Sequence, residues 1–297
     1  MNILISGASG LIGTALTDHL RKAGHHVIPL ARNASAEAFT WQPANDLIKL
    51  DETTKLDVVI NLAGPGVADK RWSSSRKSEL LNARVNGTRL LSEALAQRAQ
   101  KPKLFISASA IGFYGPRDDQ AVDESNESGS GFLAEISRQW EAATSAAQAA
   151  GIRTVHARFG IVLSGKGGAL KRMLLPFKLG LGGVIGSGKQ GMSWISMHDL
   201  VSIIVFLIGR EDLSGAFNLV APNPVSNREF TRALGRVLGR PTLVPMPAFQ
   251  ARLLFGEMAE EILLTGARVL PTRLLDAGFE FSESDLEQAL RAVLNKQ

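Results

Sequence analysis

The chain of 297 residues contains no cysteine and one tyrosine, Tyr114. The first absence excludes disulfides, thiolate catalysis and cysteine-ligated metals, and no metal site is expected. The second leaves a single phenol for acid–base work. No uncharged apolar stretch approaches the ~18 residues needed to span a bilayer. The opening run MNILISGASG reads as a strand, without the basic region or cleavage site of a signal peptide. A cytoplasmic protein that does not enter membranes is the expectation. Lysine and arginine number 33 against 28 acidic residues, a net charge of +5 spread without a basic run. That balance argues against nucleic acid and suits a small anionic ligand.

Hydrophobic residues make up 45% of the chain, enough for one large domain or two unequal ones sharing a core. The first half alternates short apolar runs with longer amphipathic ones, the pattern of βαβ units on a parallel sheet. Asn2–Ser6, His26–Ala31, Asp57–Asn61, Leu104–Ser107 and Ile152–Ala157 read as strands. Leu11–Ala23, Ser73–Gln100 and Phe132–Ala150 read as helices, the second with an apolar stripe through Leu80, Leu81, Val85, Leu90, Leu91 and Leu95. Asp123–Gly131 and Ser164–Gly168 read as loops. After Phe159 the alternation fails, and Gly180–Gly191 carries six glycines. Helical patterns return at Asp199–Gly209, Asn227–Leu238 and Asp285–Leu294. The expected class is α/β. A Rossmann-type doubly wound parallel sheet over residues 1–159 is joined to a smaller mixed C-terminal substrate-binding region over 160–297. The stretch 192–220 is expected to return to the first core.

Gly7, Gly10 and Gly13, in the run GASGLIG, lie between a strand and an amphipathic helix. The first glycine permits the tight turn, and the second lets backbone N–H groups reach a pyrophosphate. The third brings the helix close to the strand, and the helix N-terminus favours the negative charge. In that context the turn, with Ser9, Leu11 and Ile12, points to a dinucleotide. After the second strand the chain reads Leu30-Ala31-Arg32-Asn33, with no carboxylate before Glu37. An acid there would hold a ribose hydroxyl; Arg32 instead offers a fork for a 2′-phosphate, so NADP(H) is the expected cofactor. The alternative for Arg32 is an ordinary solvated loop residue.

With those residues placed, the chain resembles an extended short-chain dehydrogenase/reductase, the superfamily of nucleotide-sugar epimerases. Asn61, Leu62, Ala63 and Gly64 resemble the segment whose backbone lies along the cofactor. Ile106–Ser109 followed by Tyr114-Gly115 resembles the serine segment of the next strand. Gly186–Gln190, Trp194–Leu200 and Gly215–Val220 resemble the cap and the late strand. Asp69–Trp72, Ala110–Gly115, Trp140-Glu141, Gly256–Met258, Leu263–Pro271 and Ala277–Phe279 narrow the resemblance to the atypical "epimerase family protein" subgroup with its own C-terminal segment. That resemblance supplies no substrate; it implies a homodimer through two long helices.

Members of the superfamily use a tyrosine and a lysine four residues apart on one helical face, with a serine nearby. The ammonium lowers the phenol pKa so that a proton can be exchanged. Here Leu133 stands at the tyrosine position and Ser137 at the lysine position, while the serine is retained as Ser109 or Ser107. The family's water-ordering asparagine is replaced by Arg84, a clamp for carboxylate or phosphate. Tyr114 is read either as a substitute proton donor or as pocket wall. Glu135 and Glu141 are read as solvated or capping residues, and His198 as packing and capping beside Asp199. Lys70, Arg71 and Trp72 are candidates for an anionic substrate, with a solvated basic loop as the alternative. Lys189 and Gln190 are candidates for polar contacts to a nucleotide-linked one. Leu253–Phe255 and Leu263-Leu264 are expected in the core or a dimer face. Two functions stay open: an NADP(H)-dependent oxidoreductase or epimerase, and a non-catalytic NADP(H)-binding sensor or interaction protein.

Overall fold

The computed structural model of the chain describes residues 1–31, 39–117 and 120–295. Six strands form one parallel sheet: β1 (Asn2–Ser6), β2 (His26–Leu30), β3 (Val58–Asn61), β4 (Leu104–Ala110), β5 (Arg153–Phe159) and β6 (Gly215–Leu219). Their order across the sheet is β6-β5-β4-β3-β1-β2. β1, β3 and the first half of β4 read as near-continuous apolar runs because both faces are covered, whereas β5 (RTVHARF) carries polar residues among its apolar ones. Ile3, Ile5, Val58, Ile60, Leu104 and Ile106 pack on one face; Leu4, Val59 and Phe105 pack on the other. That is the two-residue period of a strand, divided between two cores.

Helix α1 (Leu11–Lys22) covers the first face with α5 (Met197–Gly209), and α2 (Ser74–Gln97) covers the second. Beyond β5, Ile161–Leu163 pairs in parallel with Trp194–Ser196. The chain then returns to add β6 to the sheet edge beside β5. Helix α4 (Gly168–Lys178) lies where the sequence shows only the end of a loop; Pro176 sits in its last turns, and Leu170 and Phe177 are its buried anchors. The expected helix over Phe132–Ala150 is instead two, α3 (Phe132–Ala142) and a short Ser145–Ala149. The Thr144 hydroxyl donates to the Glu141 carbonyl at 2.8 Å. Such a side-chain bond competes with the helix ladder at the break.

Helix α6 (Asn227–Leu238) opens on a capping box between Ser226 and Glu229, and it packs against the C-terminal helix Leu286–Val293. Arg268-Val269 pairs in parallel with Ala121-Val122, which fastens the late part of the chain beside the sheet. Among the described residues no helix is long and apolar enough to cross a membrane.

Candidate functional site

The strand order reverses at β1, whose chain goes on to β2 on one side while β3 lies on the other. A crevice at the carboxyl ends of strands at such a point is where α/β sheets bind ligands. Gly7 leaves β1 in the left-handed region, at φ +71°, and a Cβ there would stand 3.0 Å from the Ala63 nitrogen. A Cβ on Gly13 would come within 2.1 Å of the Gly7 carbonyl oxygen, so only glycine lets α1 start this close to the strand. The first turn of α1 has no side-chain cap and no acidic residue. Its free N–H groups lie beside exposed Ser9 and Gly10, ready for an anion. Leu11 packs on Gly167 and Gly168, and Ile12 on the first core. The backbone of Leu62–Gly64 passes next to this turn. It is propped from below by Ser6, which donates to Asn61 at 2.5 Å and accepts from the Ala63 N–H. Asn61 in turn donates to Thr88 at 2.8 Å. The Asn61 side chain is thus a buried prop, and only the backbone after it faces the crevice. Arg32 lies outside the described residues.

Ser109, near the end of β4, donates its hydroxyl hydrogen to Glu141 of α3 at 2.6 Å. Glu141 also receives Arg158 of β5 through two N–H groups, each at 2.8 Å. Expected as a solvated or capping residue, Glu141 is instead 11% exposed and holds a charge-assisted fork. It shares the buried face of α3 with Ala134 and Ser137, at i, i+3 and i+7, which is the sequence signal that points inward. Arg158 escaped the sequence reading because β5 runs two residues past the expected Ala157. Burial pushes the Glu141 carboxyl up, but the hydrogen bonds and charge of Arg158 and the Ser109 hydroxyl outweigh it, leaving the pKa below the usual range. Ser107, by contrast, reaches only the Ala108 carbonyl, at 3.4 Å.

Tyr114 does not reach the crevice. It is fully buried, donates to Asn218 at 2.8 Å and accepts from Arg158 at 2.9 Å. Burial raises its pKa, so its proton is held more tightly than in water. On α3, Leu133 packs over Gly112, and Ser137 donates back to the Leu133 carbonyl at 2.8 Å. Neither can move a proton at the crevice. The first N–H groups of α3, of Phe132 and Leu133, are taken by Glu261 at 3.0 and 3.2 Å. Glu135 is a surface residue paired with Arg138, as expected. His198 is 66% exposed and caps nothing: the α5 cap is Ser196, which accepts from the Asp199 N–H, while the Asp199 carboxylate accepts from the Ser282 and Glu283 N–H groups of the C-terminal segment.

Arg84 is 8% exposed, packed behind Gly64 rather than projecting past it. It donates to the Pro65 carbonyl at 2.7 Å and the Leu80 carbonyl at 3.1 Å. Lys70 and Arg71 are exposed. Trp72 donates to the Val67 carbonyl at 2.8 Å and meets Phe132 edge-on. Lys189 is exposed, whereas the Gln190 amide nitrogen is spent on the Ile185 and Leu263 carbonyls, at 3.0 and 2.7 Å. Gln190 therefore ties the glycine-rich loop to the C-terminal segment. Leu253 and Leu254 are 74% and 57% exposed, not core.

A glycine turn at the switch point of a parallel sheet, with a serine at the end of the next strand, defines a dinucleotide-binding fold of the dehydrogenase and epimerase kind. Residues 3–219 match the NAD dependent epimerase/dehydratase family, and residues 246–293 match a domain of unknown function, DUF1731. The chain belongs to that epimerase/dehydratase family. It is 44% identical over 290 residues to the epimerase family protein Mb2239 of Mycobacterium bovis, covering 97% of this chain and 96% of that one. The human epimerase family protein SDR39U1, crystallised with NADPH, superposes at a TM-score of 0.89 with 34% identity, covering 99% of each chain. A nucleoside-diphosphate sugar epimerase from Corynebacterium glutamicum superposes at 0.82 with 34% identity; it covers 100% of this chain and 59% of its own.

Proposed function

We propose that this chain is an NADP(H)-dependent oxidoreductase or epimerase acting on a small anionic substrate. The buried assembly around Ser109 carries the reading. Glu141 and Arg158 are an ion pair taken out of water, which costs several kcal/mol per ion before the pairing offsets it. Glu141 of the pair fixes the Ser109 hydroxyl at the end of β4, while Arg158 also holds buried Tyr114. A protein that only stored the cofactor would have no use for that hydroxyl.

The glycine turn, the uncapped start of α1 and the backbone of Leu62–Gly64 fit the pyrophosphate of a dinucleotide, with Arg32 for the 2′-phosphate. That the human relative was crystallised with NADPH supports the choice of cofactor. When bound, the nicotinamide supplies the redox equivalents. Ser109 has given its own hydrogen to Glu141, so it offers lone pairs to a substrate hydroxyl and orients it. Leu133, Ser137 and Tyr114 leave no side chain to replace the missing phenol, and ordered water takes the proton. Exposed Lys70 and Arg71 beside Trp72, with exposed Lys189 of the glycine-rich loop, would meet the anionic end.

Purified protein mixed with NADPH and a panel of carbonyl compounds and nucleotide sugars should consume the reduced cofactor or interconvert epimers, seen by absorbance and product analysis. Ser109→Ala should lower turnover at least about 100-fold. Tight NADPH binding without turnover or epimer formation would favour the other function, a cofactor-binding sensor.

A further inference from the structure

We propose that Arg84, backed by Arg76, supplies the positive charge for the nicotinamide-side phosphate of the dinucleotide. The proposal deepens the reading above and rests on it for the identity of the cofactor.

Both arginines lie on α2, one 8% and the other 6% exposed. They donate to successive carbonyls of the loop that follows β3: Arg84 to Pro65 at 2.7 Å and Arg76 to Gly66 at 2.7 Å. That loop continues the Leu62–Gly64 backbone along the crevice. Gly64 is exposed, and a Cβ on it would stand 3.4 Å from the Arg84 guanidinium carbon. The guanidinium therefore sits directly behind a residue that has no side chain to screen it from the crevice.

Arg84 also lies over the Trp140 ring, 5.2 Å from its centroid. Trp140 and Ser137 are three apart on α3 and share a face. The cation thus comes from α2 onto the face of α3 whose lysine position holds Ser137.

Among the described residues the charge is poorly compensated. The acceptors of Arg84 there are carbonyl oxygens. Arg76 has one carboxylate partner among them, the exposed Glu79 at 2.8 Å, while its Nε is buried with no hydrogen-bond partner. Burial and the like charge of Arg76 lower the Arg84 pKa to about 10. Two guanidiniums held out of water with so little negative charge are completed by a bound anion. A crevice already fitted for a pyrophosphate puts a phosphate on that side of Gly64.

The test is binding, measured without turnover. NADPH and adenosine 2′,5′-bisphosphate, which lacks the nicotinamide half and its phosphate, are titrated into wild type and Arg84→Met by calorimetry. Loss of a charge-assisted hydrogen bond should weaken NADPH about 10- to 100-fold and leave the bisphosphate unchanged. Arg84→Lys, which keeps the charge, should recover most of the loss. Should Arg84→Met not fold, Arg84→Gln removes the charge while keeping an N–H for the Pro65 carbonyl, and the same selective loss is expected. Equal weakening of both ligands, or of neither, overturns the proposal. Failure of the wild type to bind NADPH would instead overturn the cofactor reading itself.

Discussion

Glu141 and Arg158 are opposite charges at a depth where either alone is costly. Arg158→Met should destabilise the protein by ~3–5 kcal/mol, because it strands a buried carboxylate. The double variant Glu141→Gln, Arg158→Met should recover most of that, and urea unfolding at neutral pH reads both. The folded pKa of Glu141 is depressed, so its stabilisation is full above the unfolded value of about 4.3 and is lost as pH falls through the folded one. Wild type should therefore lose more stability than the double variant between pH 5 and pH 3, as measured by urea midpoints at each pH. At the glycine turn, Gly13→Ala forces a Cβ against the Gly7 carbonyl and should cost ~1–3 kcal/mol, with NADPH affinity reduced at least about 10-fold in calorimetric titration. The glycines were legible in the sequence because their spacing is local and their requirement is steric. The face that Glu141 shares with Ala134 and Ser137 separates it from Glu135, but its role stayed hidden because its partner lies 17 residues away on β5.

At the scale of elements, β1, β3 and the start of β4 stand out in the sequence because burial on both faces leaves them almost wholly apolar. Helix α4 was hidden by its flanking glycines and by Pro176, which local propensity counts against any helix. The start of α3 at Phe132 was legible, but its cap was not. Gly131, at φ +103°, lies hard against the Glu261 carboxylate, which caps the helix from 129 residues further along. No local pattern encodes such a cap. Glu261→Ala should remove it at a cost of ~1–2 kcal/mol, with faster amide exchange confined to the first turn of α3. The comparison variant Ser226→Ala breaks the local capping box of α6 and should cost about 1 kcal/mol with no effect on α3.

For the whole molecule, the stretch matching the domain of unknown function is woven into the rest. Leu274 and Phe279 join the core beneath the sheet, Leu286 and Leu290 the core around α6, and Val269 the cluster around Tyr114. Protein ending at Pro245 should lack a cooperative unfolding transition and bind a hydrophobic dye, as followed by calorimetry and fluorescence. The return of 192–220 to the sheet was expected from the sequence, but the anchoring of residues 246–293 in three separate cores was not. The Glu261 cap carries a consequence for how the molecule is born. Chain emerges from the ribosome N-terminus first, so β1 through α3 can collapse while the carboxylate that closes α3 has yet to be made. During that interval the helix N-terminus presents bare donors to any free anion. Completion of synthesis silences that decoy and leaves the glycine turn of α1 as the open anion cradle.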